Sequence, residues 1–322
     1  RQHSDRGFTM EGLPSWFGAG NREFGDHRCI AATQVDLPTW HGDADLDGLV
    51  SGFGPYALTR LAVQTGGAYI ILADGDRAGP YQPDMLKAYL PDYRSIDAYK
   101  QSVESSPLRR AVTEAVRITQ RSELGPPPTL LFGQRSETPP YGFMRDYYTP
   151  ERFANKVRML RRRLKTEASR SSRIVEQALE QVSSQGGTEL GLEEEYEQEP
   201  SHRWRAWYDL TRGRLLATSV RLEEYRKSYD VMVEPGFLEQ TTNFAVFVPS
   251  RQMKSGSTYR FRAEEAERLL LRCVRENPNT PWALLAQREL DYGLGIDVLQ
   301  FATFFVMMPP SKAREPLVLP KL

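Results

Sequence analysis

The chain has 322 residues, with 42 Lys plus Arg balancing 42 Asp plus Glu, and 40% of it is apolar. Zero net charge gives no case for nucleic-acid or membrane partners on overall charge, and the length allows two or three domains. Cys29 and Cys273 lie far apart without metal-ligand spacing, so they read as free buried thiols rather than a disulfide.

Residues 1–50 are rich in Gly, polar residues and isolated aromatics, which predicts loops with one short strand near Cys29–Ala32. Ser51–Leu72 reads as loop, amphipathic helix, Gly-Gly stop and buried strand. Leu58, Leu61 and Ala62 repeat at helical spacing, Gly66 and Gly67 end the helix, and Ala68–Leu72 is a nearly continuous apolar run. A positive φ is expected at Gly67. Turn-rich sequence follows, with a short helix at Pro83–Tyr89 and a further turn at Ile96–Tyr99. Pro107 suits the first turn of a helix running to about Gln120, and Pro126–Pro128 break regular structure.

The second half reads as helical. Pro150–Val182 is predicted as one long helix, with Phe153, Val157, Leu160 and Leu164 at 3–4 spacing and Ile174, Ala178 and Val182 resuming the stripe. A polar, acidic loop joins it to a second long helix from His202 to about Val233, with Trp204 and Tyr208 along one side. Neither helix can bury its stripe alone, so the two are expected to pair antiparallel, with Trp204 and Tyr208 against the apolar stripe of the first. Phe244–Val248 is the best later strand. Arg262–Glu276 and Pro281–Tyr292 make a short helical pair around Asn277–Pro281. The run Phe301–Met308 is too short to cross a bilayer, and no signal peptide opens the chain at Arg1.

Four segments together carry a resemblance. After the helix–Gly-Gly–strand unit come Tyr89-Leu-Pro-Asp-Tyr93, Pro107-Leu-Arg-Arg-Ala111, Trp204-Arg-Ala-Trp-Tyr-Asp-Leu210 and Asn279-Thr-Pro-Trp-Ala-Leu-Leu-Ala286. In this order they resemble the C-terminal portion of planctomycete-type bacterial proteins that contain a von Willebrand factor A domain. The resemblance implies an α+β fold, predominantly α: the end of an α/β A-like domain, then a long antiparallel helical hairpin and a helical pair similar to one tetratricopeptide repeat. The implied segments are 1–106 (end of the A-like domain with loops), 107–149 (helix and Pro-rich linker), 150–250 (hairpin with a short strand), 251–299 (helical pair) and 300–322 (tail). The chain departs from the family's metal-binding pattern, because it has no D-x-S-x-S loop. That site is expected upstream of Arg1, and a chain beginning with Arg suits a fragment or processed product, which leaves the compartment of the full-length protein open.

The sharpest local motif is Asp43-Ala-Asp-Leu-Asp-Gly48. Alternating carboxylates before a Gly match the opening of a calcium loop, with Asp43, Asp45, Asp47 and Ser51 as candidate oxygen ligands. The closing acid is missing, since Gly54 stands at the twelfth position, and the bland reading is a solvated acidic turn. Asp74 and Asp76 form a second acidic turn. The basic run from Lys156 to Arg173, centred on Arg161, Arg162 and Arg163, is a candidate phosphate-binding surface. Its bland reading is a solvated helix face, partly neutralised by the acidic run Glu189–Glu199, which Arg170 and Arg173 can approach. Trp204, Trp207 and Tyr208 between Arg203 and Arg205 fit a stacking platform, but their helical spacing favours an interhelical core. His3, His27, His41 and His202 lack a partner at zinc spacing. No nucleophile–base motif occurs. The sequence therefore favours a non-enzymatic scaffold with a protein partner, no cofactor beyond a weak calcium candidate, and no nucleic acid. The alternatives are a calcium-dependent binding module and an enzyme whose site no motif reveals.

Overall fold

A computed structural model of the protein describes residues 56–68, 83–121, 131–133, 150–183, 192–232 and 244–301. These are predominantly helical, with one small sheet. In chain order they are α1 (Tyr56–Gln64), α2 (Pro83–Leu86) running into a 3-10 turn (Lys87–Tyr89), α3 (Ile96–Glu104), α4 (Pro107–Arg121), β1 (Leu131–Gly133) and α5 (Pro150–Val182). Then follow α6 (Glu193–Gln198), α7 (His202–Met232), β2 (Phe244–Ser250), α8 (Ser257–Glu276), α9 (Pro281–Asp291) and β3 (Gly295–Phe301).

Local chemistry sets several of these boundaries. The Ser95 hydroxyl accepts from the Ala98 amide at 3.3 Å and starts α3, so the expected turn at Ile96–Tyr99 is a full helix to Glu104. Thr280 caps α9 in the same way, with Pro281 in the first turn where its missing N–H costs nothing. At the end of α1 the left-handed residue is Gly66, with φ 73°, and not Gly67 as expected. Gly67 is instead the residue whose amide closes back on the Ala62 carbonyl at 2.8 Å. The expected apolar face of α1 is also not covered: Leu58 and Leu61 are 51% and 59% exposed. Ala68 is the last described residue of the anticipated strand, and 69–72 lie outside the described residues.

α7 is the axis of the structure. From Arg203 to Leu222 every residue except Arg205 is buried, on all sides of the helix. A helix surrounded in this way must find partners for its polar groups as well as its apolar ones. Lys165 pairs with Asp230 at 2.7 Å, and the Ser219 hydroxyl donates to Glu176 at 3.1 Å, so α5 runs against α7 with opposed chain direction. α8 does the same on another side, where Arg272 meets Asp209 and Arg262 meets Ser219. Gly213 lets α7 and α8 approach closely: a Cβ there would lie 2.8 Å from Leu270 Cγ. α9 packs against α7 in the same direction, from Trp282 near Trp207 to Glu289 beside Arg221.

That register corrects one packing expectation. α5 engages the C-terminal half of α7, and Glu176 already lies beside Ser219 near the end of α5. Trp204 and Tyr208 lie a further turn or more toward the start of α7. Trp204 packs beside Arg109 of α4 and Trp207, and Tyr208 meets Leu192 and Tyr196 of the α6 segment.

The sheet has order β1-β2-β3 and is antiparallel, with Leu131 opposite Val246 and Phe244 to Ser250 opposite Phe301 to Gly295. Ala245, Phe247 and Ile296 face inward, and Tyr225 of α7 meets Phe247 edge-on at 5.2 Å. β3 begins inside the segment read as helical pair and ends inside the segment read as tail. α8 begins at Ser257, five residues before the expected Arg262. One continuous buried cluster runs from Leu86 through α4, α5 and α7 to Ile296.

Candidate functional site

The four segments that carry the sequence resemblance meet at one end of α7. Tyr89 stacks on Trp282 with ring centroids 5.3 Å apart, and its hydroxyl donates to Asn277 Oδ1 at 2.9 Å. Burial pushes the Tyr89 phenol up to about 12. Arg203 donates to the Tyr89 carbonyl at 2.7 Å, and its guanidinium lies 4.7 Å from the Trp207 ring and 5.6 Å from Trp282. Trp207 meets Trp204 edge-on at 4.7 Å. From α4, Arg109 lies 5.6 Å from the Trp204 ring and forks onto Glu199, with Nε 2.9 Å from Oε2. Each desolvated cation–ring contact is worth up to about 2 kcal/mol, so this end is held by stacked cations as well as by apolar burial. A recess of about 160 Å³ remains beside Pro91, Tyr99, Arg109, Trp204 and Trp207, with Leu90 exposed at its rim.

Trp204, Trp207, Tyr208 and Trp282 are all at most 5% exposed. The interhelical-core reading therefore holds over an open stacking platform, because these rings are almost wholly covered by neighbouring side chains.

A second cluster lies where α6 sits on α7 and α8. Arg272 forks onto the fully buried Asp209, with Nε 3.0 Å from Oδ1, and its Nη1 reaches Glu193 at 2.6 Å. Its guanidinium covers the Tyr196 ring at 3.8 Å. Burial pushes the Asp209 carboxyl up to about 6, a rise that the Arg272 fork only partly offsets. Burial alone would pull the Arg272 guanidinium down, but Asp209 and Glu193 outweigh it and hold it above its ordinary range. Glu193 also pairs with Arg268 at 3.0 Å and Arg212 at 3.7 Å, and Arg212 reaches Glu265 at 2.9 Å. Leu192 and Glu195 of the same segment line a cleft of about 420 Å³ against α4 and the end of α5.

Two further carboxylates organise the other end of α7. Glu289 sits between Arg214, at 2.8 Å, and Arg221. Burial by itself pushes this carboxyl up, but the two arginines prevail and hold it at about 2. Glu224, fully buried, accepts from the Lys254 and Ser255 amides at 3.0 and 2.7 Å, which fixes the turn after β2.

The calcium candidates Asp43, Asp45, Asp47 and Ser51 lie outside the described residues, as do Asp74, Asp76, Cys29, His3, His27 and His41. Arg161, Arg162 and Arg163 lie on α5, and their side chains are likewise outside what is described. In the rest of the basic run, Arg158, Arg170 and Arg173 are exposed, and Lys165 pairs with Asp230. The acidic run is not a plain loop, since Glu193–Gln198 form α6, and its Glu193 and Glu199 pair with arginines of α4, α7 and α8. Cys273 is buried, its thiol pushed up by burial and 3.8 Å from the Ala206 carbonyl. His202 is exposed beside Arg205. Among the described residues no group of three or more His, Cys, Asp or Glu side chains is placed to hold a metal, and no described helix is long and apolar enough to cross a membrane.

Sequence reading did not single out Asp209, Arg272, Glu276 or Glu289. Its available signal was a charge set inside an apolar stripe: Asp209 follows Trp207 and Tyr208, and Arg272 falls among Leu269, Leu270 and Cys273. Such a charge must be paired when the stripe is buried. No protein-family model matches the chain, and neither a curated protein nor a solved structure matches it.

Proposed function

We propose that this chain is a non-enzymatic scaffold, the accessory region of a protein with a von Willebrand factor A-type domain, and that it works by contact with a protein partner. The observation that carries the reading is how the charged groups of α7 are engaged. Arg203, Asp209, Arg212, Arg214, Arg221 and Glu224 all face neighbouring helices or turns and tie them to one axis. Groups held in this way rigidify a body. The α8–α9 pair, with Pro281 opening its second helix, is read as one tetratricopeptide-like unit on that body.

An interaction role also accounts for apolar side chains left in solvent. Leu58, Leu61 and Val63 of α1 are all more than half exposed, which is unusual for three apolar residues of one short helix. Crosslinking of the full-length protein in its source cells identifies the partner, and calorimetry with the two purified proteins measures its affinity. Leu58→Asp with Leu61→Asp should abolish that binding while α7–α9 keep their thermal transition. Unchanged affinity in this variant overturns the contact, and substrate turnover lost on replacing a described side chain overturns the scaffold reading.

A further inference from the structure

We propose that Asp209, Tyr196 and Glu276 form a proton-binding site that couples the seating of α6 on α7 and α8 to pH.

The Tyr196 oxygen lies 2.8 Å from Glu276 Oε2 and 3.1 Å from Asp209 Oδ2. A phenol donates one hydrogen bond, and an ionised carboxylate donates none. With both acids ionised, one of these two contacts has no hydrogen between its oxygens. A single added proton completes the chain: Asp209 Oδ2–H donates to the Tyr196 oxygen, and Tyr196 O–H donates to Glu276. Asp209 Oδ2 is the oxygen placed to take that proton, because Oδ1 accepts from both Nε and Nη2 of Arg272, whereas Oδ2 only shares the Nε hydrogen, at 3.1 Å.

The carboxylates of the cluster are Glu193 from α6, Asp209 from α7, and Glu265 and Glu276 from α8. They face the guanidiniums of Arg212, Arg268 and Arg272. The three guanidiniums pair with Glu193, Asp209 and Glu265, whereas the exposed Glu276 has no ion pair among the described residues and meets the Tyr196 oxygen instead. Arg205 of α7 lies farther out, 5.8 Å from the Tyr196 ring and hydrogen-bonded to His202. Tyr208 contributes its hydroxyl to the Leu192 amide, and Cys273 and Tyr89 face the site from α8 and the 3-10 turn. Burial of Asp209 acts in the same direction, raising its carboxyl above the ordinary range.

Tyr196 is the buried anchor of α6, 2% exposed, so the proton is held at the joint between α6 and its seat. The group is raised on folding, so its contribution is fully present below the ordinary Asp value of 3.8 and is lost as pH rises through about 6. The seat of α6 is therefore tighter at pH 5 than at pH 7.5. If opening of α6 returns Asp209 to its ordinary value, the opening equilibrium changes about tenfold between these two conditions.

Hydrogen exchange of residues 192–200 in the full chain, corrected for intrinsic rate, reads that difference. Wild type should show about tenfold more protection at pH 5 than at pH 7.5. Asp209→Asn carries a permanent donor toward Tyr196 and should show high protection at both. Glu276→Gln frees the Tyr196 hydrogen for Asp209 and should move the wild-type step to lower pH, which keeps the proposal testable if Asp209→Asn does not fold. His202→Gln should leave the step in place. Equal protection at pH 5 and 7.5 in wild type, or a step that survives Asp209→Asn, overturns the proposal, as does a carbon-13 titration in which the Asp209 carboxyl does not change between pH 5 and 7.

Discussion

Glu289 offers the most decisive test of the view that α7 is tied to its neighbours by charge. Its carboxylate takes Arg214 Nε on one oxygen at 2.8 Å and Arg221 Nη1 on the other. Arg221 continues to the Glu289 and Gly293 carbonyls at 3.0 and 3.2 Å, so one side chain joins α7 to the end of α9 and the start of the β3 turn. The carboxyl stands at about 2 against an ordinary 4.5. At 1.36 kcal/mol per pKa unit, that difference is worth about 3 kcal/mol of stability at neutral pH. The sign follows from the depressed value. The contribution is complete above about 4.5 and is lost as pH falls through about 2. Glu289→Gln keeps the shape but leaves two largely buried arginines without their anion, which should cost about 3–5 kcal/mol at pH 7. Urea unfolding of wild type and variant at pH 7 and at pH 2 measures both quantities. The gap between the two proteins should be largest at pH 7 and shrink by pH 2, where the wild-type carboxyl takes its proton. A variant within 1 kcal/mol of wild type at pH 7, or a gap that does not change with pH, refutes the reasoning.

Three further outcomes are expected. Trp204→Ala should cost about 3–5 kcal/mol, because it removes a buried ring that both Trp207 and Arg109 contact, whereas Arg158→Ala on the exposed face of α5 should stay within about 0.5 kcal/mol in the same urea assay. Gly213→Ala gains about 1 kcal/mol of helix propensity but drives a methyl into Leu270 at 2.8 Å, so a net loss of about 1–2 kcal/mol in thermal unfolding is expected. Calorimetric titration with calcium should find only weak binding, since Gly54 stands where the closing acid belongs. A Kd near 10⁻⁷ M that disappears with Asp45→Ala would favour a calcium-dependent module instead.

The positions of the long helices were legible in the chain because they rest on local signals. Pro150 opens α5, and the 3–4 spacing carries it to Val182. Pro281 opens α9, and Phe244–Val248 has the apolar density of a central strand. α6 was hidden because six residues with three consecutive glutamates have no stripe to read, and its helix is fixed by Tyr196 entering the α7–α8 joint and by Glu193 meeting Arg272. β3 was hidden because Gly295–Phe301 runs across the boundary between a helical pattern and an apolar tail. Only its pairing with β2 makes it a strand. Periodicity marked Trp204 and Tyr208 as core and suggested the stripe of α5 as their partner, and the registers of α5 and α8 along α7 place Trp204 beside Arg109 and Tyr208 beside the α6 segment instead. Sequence alone determined where the long helices α5 and α7 run and that Trp204 and Tyr208 belong to a core, because those depend on neighbours within a turn or two. Tertiary structure decided which charges share a proton, a carboxylate or a ring, because Asp209 and Arg272 lie 63 residues apart and only packing of α8 on α7 brings them within hydrogen-bond distance.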